Sequence, residues 1–360
     1  MPCSISFFYS YKHKRSLCEG GVIYNFTMFI HKYNNITSLE NILSAWEHFI
    51  RGKRNKKDVI IFQSKLSDNI TELYYLLQTK TYSHSEYSAF NISDPKPRNI
   101  HKAIVRDRLL HHLIYKELYP YFDKRFIFDS YSCRENKGTR RALNRFKYFA
   151  GKVSKNNTRT CYILKCDIKK FFANINHNIL YTILKRHIED EEIQWLIRQI
   201  VSSFHTTDIG VGLPLGNLTS QLLVNVYMHE FDMFVKQKLL VKHYIRYADD
   251  FVILSENKEY LQNILEEIKK FLKNNLKLDL HPNKVFIKTI TAGIDFLGWV
   301  HFPNHRVLRT TTKRRMLKRI NKNSKPETIA SYMGLLSHGN TFKIKKYIRK
   351  SCNFVSFMLR

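Results

Sequence analysis

Leu39, Ile42, Leu43, Trp46, Phe49 and Ile50 recur three and four residues apart, which predicts a helix with one apolar face. Thr37, with Glu40 three residues later, predicts a capping box at its start, and ordered structure is expected from there. The basic run RGKRNKK (51–57) ends this helix, and a second amphipathic helix is expected over 67–77. The two prolines of DPKPRNI (94–100) force extended backbone. Leu109, Leu110, Leu113, Ile114 and Leu118 predict another helix, stopping near Pro120. After a polar loop at 134–138, helices are expected around 142–149, 178–187, 218–240 and 260–274. CYILKCDI (161–168) reads as a buried strand, and the two apolar runs of 242–255 as a hairpin with Asp249 and Asp250 at its tip. Further strands are expected near 276–280 and 294–302, and the last sixty residues read as helical. Residues 1 to about 35 are aromatic-rich without a clean period, and the pattern leaves open whether translation starts at Met1 or Met28.

Composition adds a direction. The 360 residues carry 60 Lys+Arg against 30 Asp+Glu, a formal charge of +30. So large an excess repels itself unless an anion is present. At 44% hydrophobic and 14% aromatic the chain is too apolar for a disordered basic tail. No run approaches the roughly 20 apolar residues of a spanning helix, and no secretory signal is evident. A cytoplasmic, nucleic-acid-binding protein without membrane attachment is therefore expected. Six cysteines (Cys3, Cys18, Cys133, Cys161, Cys166, Cys352) form no CxxC, so neither a zinc site nor a disulfide framework is expected. The last sixty residues hold fifteen Lys+Arg against one acid, Glu327.

Where acids are scarce, their positions matter. Asp167 ends a mostly apolar strand, and Asp249–Asp250 sits between Tyr247 and Phe251. Carboxylates at apolar strand ends need compensation. Mg²⁺ supplies it with one or two carboxylates plus phosphate oxygens, and two ions about 4 Å apart can hold both oxygens of an in-line phosphoryl transfer. The dipeptide is also an ordinary turn sequence.

Seven segments, in order, resemble a reverse transcriptase. KCDIKKFFANINH (165–177), GLPLGNLTSQLLVNVY (212–227), RYADDFVIL (246–254), LDLHPNK (278–284) and FLGW (296–299) resemble its motifs A to E. DPKPRNIHKAIVRDR (94–108) and FDSYSCRENKG (128–138) resemble its fingers motifs. The resemblance implies an α+β right-hand polymerase with fingers, a palm built on an antiparallel sheet, and a helical thumb. Its divisions are an N-terminal extension (1–36), fingers (37–160), palm (161–300) and basic thumb (301–360). It implies RNA-directed DNA synthesis on template RNA, an RNA/cDNA hybrid and deoxynucleoside triphosphates, with two Mg²⁺ ions or Mn²⁺ as a substitute.

Roles carry over residue by residue. Asp167 and Asp249 are the main metal ligands, with Asp250 as third acid. Lys284 matches the lysine that protonates departing pyrophosphate. Phe172 stands where the family places its steric gate against a ribose 2′-OH, and one of Phe171 and Phe172 is expected in the core. Lys96 and Arg98 resemble the pair holding the incoming triphosphate. Leu215, Gly216 and Gln221 lie beside the incoming nucleotide. Tyr247 and the FLGW turn (Phe296, Leu297, Gly298, Trp299) approach the primer. Arg314, Arg315 and Lys318 suit backbone phosphate, which needs cations without base readout.

Motif B departs from the commoner Gln-Gly and Ser-Pro pattern: Leu215 precedes Gly216, and Gln221 follows Ser220. An aliphatic residue before the glycine, and glutamine after the serine, resemble enzymes of diversity-generating retroelements. These copy a template RNA with errors at adenines and work with a basic accessory protein. The shortness of the chain beyond the thumb segment fits the same expectation. A retron-like or defence-associated reverse transcriptase, and a non-catalytic RNA-binding protein of polymerase fold, remain as alternatives.

Overall fold

The computed structural model describes residues 13–16, 24–93, 97–322 and 325–349, with backbone only for 13–16 and 24–27. Lys96, Met1, Cys3, Cys18 and Cys352 lie outside the described residues. The chain divides into two compact units. The first comprises the chain up to Ile127, Lys170–Asp232 and Leu272–Leu278. The second comprises Phe128–Lys169, Met233–Phe271 and everything from Asp279.

In the first unit, β1 (His13–Ser16) and β2 (Tyr24–Thr27) form an antiparallel hairpin. A one-turn helix, Tyr33–Ile36, precedes the expected one at Leu39–Phe49. Order thus begins before Thr37. The cap also shifts by one residue: Ser38 accepts from the Asn41 N–H, while the Thr37 hydroxyl donates back to the Tyr33 carbonyl. Two further helices, Lys57–Ser64 and Leu66–Gln78, follow. β3 (Ser88–Ile92) and β4 (Arg98–Lys102) pair antiparallel around the proline segment.

The next helix runs through Pro120, over Val105–Asp123. This corrects the expected stop. A proline in the last turn forfeits one backbone bond, and the burial of Tyr119 and Phe122 on either side outweighs it. Helices His177–Lys185 and Glu191–Ser202 complete the unit together with most of Leu218–Met233. The last is shorter than expected, because the chain relaxes into a π turn at Phe234–Lys238.

The second unit is built on β5 (Tyr162–Asp167), β6 (Tyr244–Tyr247), β7 (Asp250–Ser255) and β8 (Phe286–Thr289), all antiparallel, in the order β6-β7-β5-β8. The strand expected near 276–280 is not formed. The helix Lys258–Leu276 keeps burying Leu261, Ile264, Ile268, Leu272 and Leu276 at helical spacing to its end, and Leu280 makes only an isolated bridge to Ile168.

The run 294–302 is two strands, not one. β9 (Ile294–Phe296) and β10 (Trp299–His301) turn through Leu297 and Gly298, both with positive φ (51° and 84°), as a two-residue hairpin prefers. β11 (Arg306–Leu308) completes that sheet. Helices Thr310–Lys322, Pro326–Leu336 and 342–349 follow. Ile163, Val252, Leu254, Phe146, Phe149, Phe296, Trp299, Met316 and Ile320 share one core. Among the described residues no helix is long and apolar enough to cross a membrane.

Candidate active site

Apolar β5 and β7 run through the middle of the sheet, and their register sets Asp167 directly opposite Asp250. Asp249 occupies the turn between β6 and β7. Its carbonyl accepts from the Ile168 N–H at 3.1 Å. The turn needs Ala248 in the left-handed region (φ 56°). All three acids therefore lie at one end of two neighbouring strands.

Two lysines pair with two of them. Lys284 Nζ donates to Asp167 Oδ1 at 2.9 Å, and Lys165 Nζ stands 3.1 Å from Asp250 Oδ1. Burial pushes the Asp250 carboxyl up to about 6, with Asp167 and Asp249 adding to the rise and Lys165 opposing it. The rise is mainly the cost of burying the charge, and a cation beside the carboxylate would offset it. Among the described residues no group of three or more acid, thiol or imidazole side chains is arranged to hold a metal ion. The chemistry of one or two of these carboxylates would suit a hard divalent ion that completes its shell with phosphate oxygens and water.

Arg246 received no role from the sequence, yet it is fully buried. Its guanidinium donates to the Ala248 carbonyl at 3.2 Å and to Ser130 Oγ at 3.1 Å. Its own N–H and C=O bond the Asp129 carbonyl and the Tyr131 N–H. It thus braces the turn that carries Asp249. Lys165 was likewise missed. An arginine and a lysine inside apolar strands were the available signal, since neither is buried without partners.

The nucleotide-contact candidates gather in the first unit. Phe171 is buried and Phe172 half-buried, so the core member of the pair is Phe171. The Phe172 carbonyl accepts from the Leu213 N–H at 2.8 Å, and the Leu215 carbonyl accepts from the His101 N–H at 3.0 Å. Gly216 has φ 112° and is exposed, while Leu215 and Gln221 are half-buried. Arg98 is exposed at the start of β4, paired with Ile92.

In the second unit, Phe296 and Trp299 are buried in the core and Leu297 packs half-buried against it, with Gly298 half-buried beside it in the FLGW turn. Tyr247 ends β6 opposite Asp250. Arg314, Arg315 and Lys318 are exposed on a helix whose Met316 and Ile320 are buried: one face packs and the other is cationic.

Comparison with known proteins agrees in kind. Residues 93–301 match the family model described as "Reverse transcriptase (RNA-dependent DNA polymerase)". The chain is 24% identical to "Protein YkfC" of Escherichia coli over 61% of this chain and 66% of that protein. It is 26% identical to "Group II intron-encoded protein LtrA" of Lactococcus lactis, over 43% of this chain and 36% of that one. It is 27% identical to "Retron Ec73 reverse transcriptase" of Escherichia coli, over 41% and 52%. The chain thus spans less than two thirds of each of these relatives. Among solved structures, apo telomerase from Candida tropicalis superposes with a TM-score of 0.48 at 11% identity, over 67% of this chain and 60% of that one.

Proposed function

The chain belongs to the reverse transcriptase family, and from that premise we propose that it synthesises cDNA on an RNA template by metal-assisted nucleotidyl transfer. The observation that carries this reading is the pairing of Asp167 with Asp250, with Asp249 in the adjoining turn. Asp167 and Asp249 would hold the ions, with Asp250 beside them. Bound metal would supply charge neutralisation for the attacking and leaving oxygens. Lys284, which donates to Asp167 at 2.9 Å, would supply the proton to the leaving group. Phe172 offers a ring that would exclude a ribose 2′-OH, and Arg98 a cation for triphosphate. The exposed Arg314, Arg315 and Lys318 would follow the hybrid backbone, and the FLGW turn the primer.

The protonation of Asp250 gives a first test. With its carboxyl raised to about 6, the acid loses its charge as pH falls through that value, and with it the ability to attract a cation. Apparent Mg²⁺ affinity in primer extension is expected to weaken below about pH 6. Lys165→Met removes the group that lowers this pKa, so the fall should begin at higher pH. An unchanged Mg²⁺ titration in the variant at pH 6 to 7 counts against the assignment.

We further propose that copying is error-prone at adenines, as in a diversity-generating retroelement working with template RNA and a basic accessory protein. Support comes from Leu215 and Gln221. Leu215 is half-buried and tied to β4 through its carbonyl, but its side chain cannot hydrogen-bond a nascent base pair as an amide could. Leu215→Gln is expected to lower adenine misincorporation several-fold, read by sequencing cDNA made on the RNA encoded beside the gene. The same error spectrum in both proteins would remove the role given to Leu215. A retron-like reading would be favoured instead if the adjacent RNA itself primes synthesis.

A further inference from the structure

In the first unit, the helix Val105–Asp123 buries a carboxylate and an imidazole that the proposed chemistry does not use. Asp107 and His111, one turn apart on that helix, are both buried. Asp107 is held on both oxygens. Oδ1 accepts from the Tyr82 hydroxyl and from Arg106 Nε, each at 3.0 Å, and Oδ2 accepts from the Ser85 N–H at 2.9 Å. These bonds fix the segment 82–85 against the helix. His84 lies in that segment with its side chain buried, stacked on Tyr87 with ring centroids 4.7 Å apart.

From His84 a line of hydrogen bonds crosses the unit. His84 Nδ1 lies 2.6 Å from the Ser85 carbonyl, His84 Nε2 lies 3.1 Å from His111 Nε2, and His111 Nδ1 lies 2.6 Å from Thr219 Oγ1. The first contact orders the rest. A carbonyl only accepts, so His84 Nδ1 carries the proton. Burial holds both imidazoles below their ordinary pKa, His111 at about 3, so both rings are neutral and His84 Nε2 is bare. It accepts from the Nε2–H of His111, which leaves His111 Nδ1 to accept from the Thr219 hydroxyl.

Thr219 is buried in the first turn of the helix Leu218–Met233, three residues beyond Gly216 and two before Gln221. A helical threonine often turns its hydroxyl back to the carbonyl four residues earlier, which here belongs to Leu215. That carbonyl accepts instead from the His101 N–H at 3.0 Å. The turn 215–217 is thus held on both sides, at Leu215 by β4 and at Thr219 by the helix that follows β4. Burying such polar groups is expensive, and apolar side chains of the same shape often stabilise as well or better. What a fully satisfied polar line adds is a unique, rigid arrangement. The part it fixes includes the exposed Gly216.

Resting on the reading of the chain as an RNA-copying polymerase, we propose that His84, His111 and Thr219 are positioning residues. They set the 215–217 turn against the incoming nucleotide, and so its apparent affinity, without touching it.

The test measures steady-state incorporation of deoxythymidine triphosphate by the full chain on a poly(A) template with an oligo(dT) primer. Thr219→Val keeps the shape of the side chain and removes its hydroxyl. It is expected to raise KM about five- to tenfold with kcat within about twofold of wild type. Thr219→Ser keeps a hydroxyl and should leave KM within about twofold of wild type. His111→Leu removes the other partner of the same bond, so adding Thr219→Val to it should raise KM no further. If His111→Leu does not fold, the two Thr219 variants decide by themselves. An unchanged KM in Thr219→Val overturns the proposal. So does a KM raised equally in Thr219→Ser, which would assign the effect to packing rather than to the hydroxyl. A wild-type chain that extends primers, with KM unchanged in Thr219→Val, sinks only the positioning role. A wild-type chain that extends none sinks the polymerase reading, and this proposal with it.

Discussion

Asp249→Asn is expected to cut single-turnover primer extension by at least about a thousandfold while leaving affinity for template RNA within about twofold of wild type. The substitution keeps the size of the side chain and the turn around it. The turn is set by backbone: Ala248 at positive φ, the Asp249 carbonyl on the Ile168 N–H, and Arg246 on the Ala248 carbonyl. None of these needs the Asp249 carboxylate, so folding should survive. What changes is charge at the place where metal and phosphate would meet. RNA affinity, by contrast, is proposed to come from cations such as Arg314, Arg315 and Lys318. Asp167→Asn should cost a similar amount and also free Lys284 from its partner at 2.9 Å. Extension within tenfold of wild type by the Asp249 variant, with normal melting temperature, would refute the metal assignment. Parallel loss of RNA binding would show that the effect is structural.

The parts of this molecule legible in the sequence are those where a local pattern and a tertiary demand coincide. The run 161–168 had to be a buried strand, and its acid at the exit had to be compensated. The hairpin of 242–255 was visible because polar residues interrupt two apolar runs. The misreadings occur where two local rules compete. Pro120 reads as a stop, but Tyr119 and Phe122 are buried around it. Leu276 and Leu278 fit a strand by alternation, yet the preceding helix extends its apolar stripe through Leu276. The run 294–302 reads as one strand by its apolar pattern, and only the family resemblance marks FLGW within it as a turn, because a hairpin turn with Leu at positive φ has no strong composition signal. The pairing of Lys284 and Lys165 with the acids is not legible for a different reason. Pairing across strands depends on register, and register is set by the whole sheet rather than by either segment. Lys165 and Asp250 are 3.1 Å apart in space and belong to segments whose spacing along the chain says nothing of that distance.

Gly216→Ala is expected to lower kcat/KM for nucleotide incorporation about 30- to 100-fold, mainly through KM. Two separate costs combine. At φ 112° any side chain is strained, by about 1–2 kcal/mol. A Cβ would also stand 2.9 Å from Ile100 Cγ2, closer than carbon atoms approach without displacement. Neither neighbour can yield freely. Ile100 sits on β4, paired with Phe90, and the next residue, His101, donates its N–H to Leu215. The methyl must therefore push β4 away from the 215–217 turn or distort the turn itself. Arg98 is two residues from Ile100 on the same strand, so a displaced β4 carries with it the cation proposed for the triphosphate. Each tenfold in kcat/KM corresponds to about 1.4 kcal/mol, which makes the expected loss the sum of strain and displacement. The two can be separated. Ile100→Ala in the Gly216→Ala background removes the clash but not the strain, so it should recover part of the loss and no more. Full recovery would assign the whole effect to contact with β4. No recovery would assign it to the backbone of the turn, and Leu215, which precedes Gly216, would then be the residue whose position matters.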